Sequence, residues 1–313
     1  MGRIKTNQPE SNCDLNTKET LKMKIKSFFV AASLLFVMAL SVHAQDFEAK
    51  LSKAETELMN GNNEQALSDC KSLIETGKGD SIQKATMYSY AGLASDQLKK
   101  TDDAINYYKK SIELKVPRLD IYDRLISLAK RTKNDDAYEW ALTEKMKAFP
   151  DFQQSIVQSL AHLYLKKKQW DKLLGATKKL TEWFPDNPTY FSYQGAAYQN
   201  TGEIDKATAV YNKVLELDPD DAYANMAIGM IKYHKASKIF DREKKEYEKK
   251  SKPNWNDFNK YDKALNEPKA IYKEALPYLL KAYKNESYAP ILKKVLNRIY
   301  TRLDDKAKAL QYK

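Results

Sequence analysis

The chain has 313 residues, of which 30% are charged and only nine are glycine, and its formal net charge is +11. Glycine at about 3% is less than half of its usual ~7% share, which disfavours turn-rich all-β folds and enzymes that bind nucleotides through glycine loops. Two cysteines are too few for a disulfide scaffold, and a hydrophobic fraction of 42% is too high for a disordered chain. We therefore expect a mostly helical globular protein.

The first 44 residues differ from the rest, and residues 23–44 have the layout of a secretory leader. An apolar run at residues 28–40 follows a cluster of lysines and precedes small residues that end at Ala44. This order is typical of a signal peptide, and the run is shorter than the ~20 residues that cross a membrane, so an uncleaved anchor is the less favoured alternative. We predict a signal peptide at residues 23–44, cleaved near Ala44, and export to the periplasm or beyond. Residues 1–22 are polar, and we expect them to be dispensable or translation to begin at Met23.

Removal of the leader changes the charge and the cysteine count. Residues 1–44 carry six of the 53 basic and three of the 42 acidic side chains, so the remainder has a net charge of +8. In an exported protein, this moderate excess makes nucleic acid an unexpected partner and favours an acidic protein or an anionic envelope surface. Cys70 is the only cysteine that remains, and we expect it to be a buried structural thiol.

A period of about 34 residues runs through the remaining chain. Pro117, Pro150, Pro185 and Pro219 recur at nearly equal steps of 33, 35 and 34. Two further columns share this spacing: Gly92, Leu125, Ala161, Gly195 and Gly229 form the first, and Ala104, Ala137, Leu173 and Ala207 form the second. Proline cannot continue a helix and marks the turn into the next unit, whereas small residues allow two helices to cross closely.

This pattern resembles the tetratricopeptide repeat family, whose unit of about 34 residues is a pair of antiparallel helices. The best match runs from Pro188 to Pro219 and includes Gly195, Ala207 and Tyr211. We expect Tyr211 to fill the space towards the next unit. The resemblance implies an all-α, right-handed superhelical solenoid of about seven such units within residues 45–313.

The register breaks after Gly229. In the column that contains Ala104 and Ala207, the next small residue is Ala275, which lies one whole period later in the sequence than expected. The extra period of about 34 residues has two possible explanations: a degenerate repeat that ends at Pro253, or a lengthening of both helices of one unit by about 17 residues each. Continuous apolar stripes favour the second explanation. We therefore predict a helical hairpin at about 235–268 that protrudes roughly 25 Å, followed by capping helices at about 287–313.

Residues with catalytic or metal-binding spacing are absent from the sequence after the leader. His162 and His234 are its only histidines, neither lies at a metal-ligand spacing, and no phosphate-binding glycine loop or nucleophile motif occurs. The sequence therefore predicts a protein that is not an enzyme and binds no metal or cofactor.

Two surfaces are candidates for binding a partner. The family resemblance implies that the first helix of each unit lines a concave groove, and its candidate contacts are Tyr122, Gln158, His162, Ser192, Gln199, Met226, Met230 and Tyr233. The alternative for the two methionines is packing against the base of the hairpin. The second surface is the hairpin tip, with Lys249, Lys250, Lys252 and Trp255.

We accordingly predict a non-enzymatic exported scaffold or adaptor that binds a protein or peptide segment in its groove. The alternative is an accessory protein that binds the envelope surface or a polysaccharide through the basic hairpin. Residues 235–263 hold ten basic and six acidic side chains, which also fits a solvated helix pair stabilised by Glu/Lys pairs.

Overall fold

The computed structural model describes residues 47–313, which are predominantly helical and contain no β-strand. The predicted signal peptide and the residues before it lie outside the described part of the chain. The helices are α1 (47–59), α2 (Asn63–Thr76), α3 (Ser81–Gln97), α4 (Thr101–Glu113), α5 (Leu119–Arg131), α6 (Asp135–Ala148), α7 (Gln153–Lys166), α8 (Trp170–Trp183), α9 (Pro188–Asn200), α10 (Ile204–Leu217), α11 (Ala222–Glu248), α12 (Trp255–Ala264), α13 (Asn266–Tyr283), α14 (Ala289–Arg302) and α15 (Lys306–Gln311), with a 3-10 turn at Pro150–Phe152.

The helices are divided between two compact units, one ending at Phe149 and one beginning at Pro150. In the first unit, α1 packs with α2, α3 with α4, and α5 with α6. In the second unit, the pairs are α7 with α8, α9 with α10, α11 with α13, and α14 with α15. The described residues thus form seven helix pairs, which confirms the all-α helical repeat. Among them, no helix is both long enough and apolar enough to cross a membrane.

Within a pair, a small residue on the first helix faces a larger one on the second. A Cβ atom at Gly92 would lie 2.8 Å from the ring of Tyr108, and one at Gly195 would lie 2.5 Å from the ring of Tyr211. Both tyrosines occupy the same register position relative to their glycine. Tyr211 also makes an edge contact with Tyr223 of the next pair, with ring centroids 6.0 Å apart. The ring therefore fills the crossing of its own pair as well as the space towards the next.

The same turn connects the two helices in six of the seven pairs. Its central residue has a φ between +53° and +85°, and the positions are Gly61, Lys99, Lys133, Lys168, Gly202 and Asp304. The next residue donates its N–H to a carbonyl five positions back, as from Asn134 to Ala129 and from Glu203 to Tyr198, both at 2.9 Å. These bonds satisfy carbonyls left open at the helix end and set the return direction of the chain.

The pair formed by α11 and α13 lacks this turn and contains the whole excess of one period. Gly229 faces Leu279, whose side chain would lie 2.6 Å from an added Cβ atom, and the two residues are one period further apart in the sequence than the corresponding residues of the other pairs. Helix α11 has 27 residues, and α12 is joined to α13 only by Leu265, whose φ and ψ are −74° and −11°. Helices α11, α12 and α13 thus form a long helical hairpin at this position, and its second leg is divided at Leu265. We call residues 235–268 the arm.

Candidate partner-binding surfaces

A cleft of about 610 Å³ lies beside the base of the arm, between α10, α11 and α13. Four isoleucines line it: Ile204 is 40% exposed, Ile231 and Ile271 are half-buried, and Ile228 is buried. Gln199 at the end of α9 also lines this space, which we call the arm-base cleft. It offers a partly exposed apolar floor to a partner.

The cleft exists because α11 and α13 are longer than the helices beside them. Helix α9 ends at Asn200, shortly after Gly195, whereas α11 continues past the corresponding Gly229 as far as Glu248. Helix α10 begins only at Ile204. The face of α11 and α13 that points towards α10 therefore extends beyond the residues that would cover it in a unit of ordinary length.

Charged side chains surround the apolar floor. Lys232 forms an ion pair with Glu274 at 2.6 Å, and the ammonium group lowers the pKa of that carboxyl below its usual value. Lys235 and Lys238 are exposed cleft residues for which the described part of the chain supplies no ion pair. On the opposite wall, Asp205 of α10 contributes a carboxylate.

The other side of the arm base is held by α14. Arg302 donates to Asp241 at 2.6 Å, and its guanidinium carbon lies 4.6 Å from the centre of the Phe240 ring. It also donates to the hydroxyl of Tyr272, which shares a 2.9 Å hydrogen bond with Ser237. These contacts attach the arm to α14 and leave the side towards α10 open.

Two of the predicted groove residues are not exposed. Tyr122 is only 3% exposed and packs edge-on against Phe149, with ring centroids 5.5 Å apart. Tyr233 is 5% exposed, and its hydroxyl accepts a hydrogen bond from Arg298 at 3.1 Å. The expectation that their side chains are accessible is wrong, because neighbouring helices cover them.

The two predicted methionines are partly buried. Met226 and Met230 pack against the hydrophobic cluster that contains Tyr272 and Leu279. This is the packing against the hairpin base that the sequence left open as an alternative. A binding role for Met226 and Met230 stays a prediction.

The remaining groove candidates occupy α7 and α9. His162 is exposed, and its Nδ1 lies 3.3 Å from the hydroxyl of Tyr193, with ring centroids 5.4 Å apart. Gln158 and Ser192 are half-buried on the same two helices. We call these four residues the α7–α9 surface. Gln199 lies apart from them in the arm-base cleft, where its side-chain oxygen accepts a hydrogen bond from Tyr211 at 3.0 Å.

The tip of the arm is basic and aromatic, as the sequence indicates. Lys249 pairs with Glu246 at 2.6 Å, Lys250 pairs with Asp257, and Lys252 is exposed. Trp255 is 72% exposed.

The buried thiol and two buried tyrosines have strongly raised pKa values. No cluster of three His, Cys, Asp or Glu side chains that could hold a metal ion occurs in residues 47–313. Burial, with a smaller contribution from the nearby Asp69 carboxylate, raises the pKa of the Cys70 thiol to about 12. The pKa values of Tyr108 and Tyr211 are also raised, chiefly by burial. A thiol with so high a pKa is almost entirely protonated at neutral pH and is a poor nucleophile.

Sequence reasoning missed the arm-base cleft, although it located the arm. The floor residues Ile204 and Ile271 were not singled out, nor were Lys235 and Lys238 as a pair on the rim. The available signal was the excess of one period itself, because lengthening only one helix pair leaves one of its faces without a neighbour.

A sequence model of the tetratricopeptide repeat matches residues 40–235, so the match ends where the arm begins. No curated protein sequence matches the chain. Among solved structures, the C-terminal part of a TPR repeat-containing protein from Cytophaga hutchinsonii is 15% identical, covers 84% of this chain and 92% of its own, and has a TM-score of 0.44.

Two further structures are similar over a smaller share of the chain. A protein from Bacteroides ovatus is 22% identical, covers 70% of this chain and 98% of its own, and has a TM-score of 0.42. YrrB, a TPR protein with an unusual peptide-binding site, is 17% identical, covers 57% of this chain and 89% of its own, and has a TM-score of 0.36. The family match, which spans more than half of the chain, shows that this protein belongs to the tetratricopeptide repeat family.

Proposed function

We propose that this protein is a non-enzymatic scaffold and that it binds a segment of a partner protein in the arm-base cleft. Proteins of the tetratricopeptide repeat family generally bind protein or peptide partners. The observation that carries this assignment is the open apolar floor, where Ile204 is 40% exposed beside the half-buried Ile231 and Ile271. Burial of one partner side chain on this floor contributes about 1.5–3 kcal/mol.

The lysines on the rim of the arm-base cleft favour a partner with negative charge. Lys235 and Lys238 lie on α11, one turn apart, and both can approach a carboxylate that flanks the buried side chain. Glu274 is already paired with Lys232, so it repels an acidic partner less than a free carboxylate would. The fitting ligand is a short segment that carries a branched or aromatic residue next to Asp or Glu.

The α7–α9 surface is a second candidate, and it corresponds to the groove expected from the family. The contact between His162 and Tyr193 joins two successive first helices into one accessible surface. Gln158 and Ser192 add polar groups that can bond to the backbone of an extended peptide. We place it second because its described side chains are polar and offer little apolar area for burial.

The test compares three glutamate variants in affinity purification from the native cells with quantitative mass spectrometry. Ile204→Glu introduces a charge into the cleft, His162→Glu changes the α7–α9 surface, and Ile291→Glu is the matched control at an isoleucine that is 61% exposed on α14. We expect recovery of the partner to fall about tenfold for Ile204→Glu, equivalent to about 1.4 kcal/mol, and to be unchanged for the control.

The outcomes separate the two surfaces. Far-ultraviolet circular dichroism first confirms that each variant retains its helicity. If Ile204→Glu captures its partner as well as the control does, the cleft assignment is wrong. If recovery falls only for His162→Glu, the partner belongs to the α7–α9 surface.

We also propose that the protein is exported and that its leader is removed near Ala44. The support is the order of basic, apolar and small residues in 23–44. N-terminal sequencing of the native protein should begin near Gln45. An intact N-terminus at Met1 or Met23 would contradict this proposal.

A further inference from the structure

The tip of the arm presents an exposed aromatic pair on a supporting stack of rings. The ring of Trp255, 72% exposed, stacks on that of Phe258, 42% exposed, with centroids 5.6 Å apart. Phe258 meets Tyr247 edge-on at 6.5 Å, and Tyr247 stacks on Tyr261 at 4.7 Å with only 13° between the ring planes. The outer pair is therefore held in position by the two inner rings while remaining open to solvent.

Lysines cluster at the turn of the arm, and carboxylates flank them on both sides. Residues 249–256 contain three lysines and no carboxylate. Lys249 pairs with Glu246 and Lys250 with Asp257, two carboxylates that flank this segment, whereas Lys252 forms no ion pair within residues 47–313. Over residues 235–263, the excess of basic side chains is four. Residues 246–257 hold as many carboxylates as lysines, so the attraction of an anionic surface comes from the excess over the arm as a whole.

The aromatic pair does not line the small cleft beside it. That cleft, of about 170 Å³, is lined by Tyr247, Lys250, Asp257 and Tyr261 among others, and it includes neither Trp255 nor Phe258. The pair lies in the first turn of α12, just after the turn of the arm. A rigid partner would need a complementary cavity to bury such a tip, whereas a lipid interface deforms around it.

We propose that the arm tip binds a membrane surface rich in anionic phospholipid, with Trp255 and Phe258 at the level of the headgroups and Lys249, Lys250 and Lys252 facing their phosphates. Tryptophan is favoured at the boundary between headgroups and hydrocarbon because its ring is apolar while its N–H can donate a hydrogen bond. Lysines add an attraction that salt screens. This role goes beyond the scaffold function, since it places the scaffold at a membrane without inserting a helix across it.

The experiment measures binding of the chain from Gln45 onwards, the form that remains after removal of the leader, to vesicles of pure phosphatidylcholine and to vesicles in which one lipid in three is phosphatidylglycerol. Replacing Lys249, Lys250 and Lys252 by glutamine should lower the association constant for the anionic vesicles about tenfold. The matched control replaces Lys293, Lys294 and Lys306, three exposed lysines outside the arm, and should change it less than twofold. High salt should remove the difference between the arm variant and wild type.

A second measurement tests whether the aromatic tip itself reaches the lipid. Brominated lipid should quench part of the tryptophan emission in wild type, and this part should disappear in Trp255→Phe, which keeps an aromatic ring at the tip. Trp255→Ser combined with Phe258→Ser should weaken binding to the anionic vesicles about tenfold, because the apolar contact is lost.

Three results would overturn the proposal. The arm-lysine variant could bind anionic vesicles as tightly as its matched control, or Trp255→Phe could leave the quenched fraction unchanged. The third is binding through the same lysines to heparin, used as a soluble anionic polysaccharide, with no Trp255-dependent binding to vesicles, which would assign the tip to a polysaccharide. None of these results bears on Ile204 or the arm-base cleft.

Discussion

Replacing Gly195 by alanine tests the packing rule that organises the helix pairs. An ideal Cβ atom at this position would lie 2.5, 2.8 and 2.9 Å from three atoms of the Tyr211 ring. Favourable carbon–carbon contacts are about 3.5–4.0 Å, so the overlap is roughly 1 Å at the closest atom. Tyr211 is fully buried, and its hydroxyl donates to Gln199 at 3.0 Å, so the ring has little room to withdraw.

The size of the effect follows from two opposing contributions. Alanine in a helix interior is favoured over glycine by about 1 kcal/mol. Overpacking of a filled core costs about 1–3 kcal/mol. A clash with three atoms of an immobile ring should cost an amount near the upper end of this range. We expect Gly195→Ala to lower the free energy of unfolding by about 2 kcal/mol.

Gly175 provides the matched control, because it lies within α8 and an added Cβ would meet nothing within 4 Å. Gly175→Ala should raise stability by about 1 kcal/mol. Urea unfolding followed by far-ultraviolet circular dichroism gives both values, and hydrogen exchange shows whether the loss is confined to α9 and α10. If Gly195→Ala is as stable as Gly175→Ala, the close crossing does not require glycine and the reasoning is refuted.

Three further predictions concern the turns, the buried thiol and the arm. Lys133 has a φ of +56°, so Lys133→Gly should stabilise by about 0.5–1 kcal/mol in thermal unfolding, whereas Gly202→Ala, at a φ of +85°, should destabilise by about 1 kcal/mol. Because burial raises the pKa of Cys70, the contribution of this thiol to stability is intact below about pH 9 and falls by about 1.4 kcal/mol per pH unit up to about pH 12. The difference in the free energy of unfolding between wild type and Cys70→Ala, measured across this range, should show that slope. Arg302→Ala should destabilise by about 1–2 kcal/mol and speed hydrogen exchange in residues 237–247, whereas Arg242→Ala, which removes an exposed side chain paired with its neighbour, should do neither.

The sequence predicted the helix pairs well because their register depends on spacing alone. Gly92 and Gly195 recur at the period, and the late arrival of Ala275 located the extra length between Gly229 and the second helix of its pair. The turns were a different matter. Lys99 and Lys133 adopt the positive-φ conformation that glycine favours at Gly202. A lysine in the sequence does not indicate a positive φ, so these turns could not be predicted.

Exposure could not be predicted from helix periodicity. The position of Tyr233 on α11 defines which face of that helix it occupies, but Arg298 and the other residues of α14 decide whether this face is covered. The arm-base cleft also depends on neighbouring helices, but there a covering helix is missing. Ile204 and Ile271 lie far apart in the sequence, and they line one space only because α9 ends before the level that α11 and α13 reach.

Insertion of one whole period inside a unit has a mechanical consequence. Gly229 still meets Leu279 at a close crossing despite the excess, and α14 packs on α13 as the first helix of a further pair. The two faces of the arm base nevertheless differ, since Arg302 closes one and the cleft opens the other. From Lys238 at the cleft to the end of α11 at Glu248 is about 15 Å along one helix, at about 1.5 Å per residue. A segment bound in the cleft would therefore be held about that far from whatever surface the tip contacts, through a helix whose base is fixed.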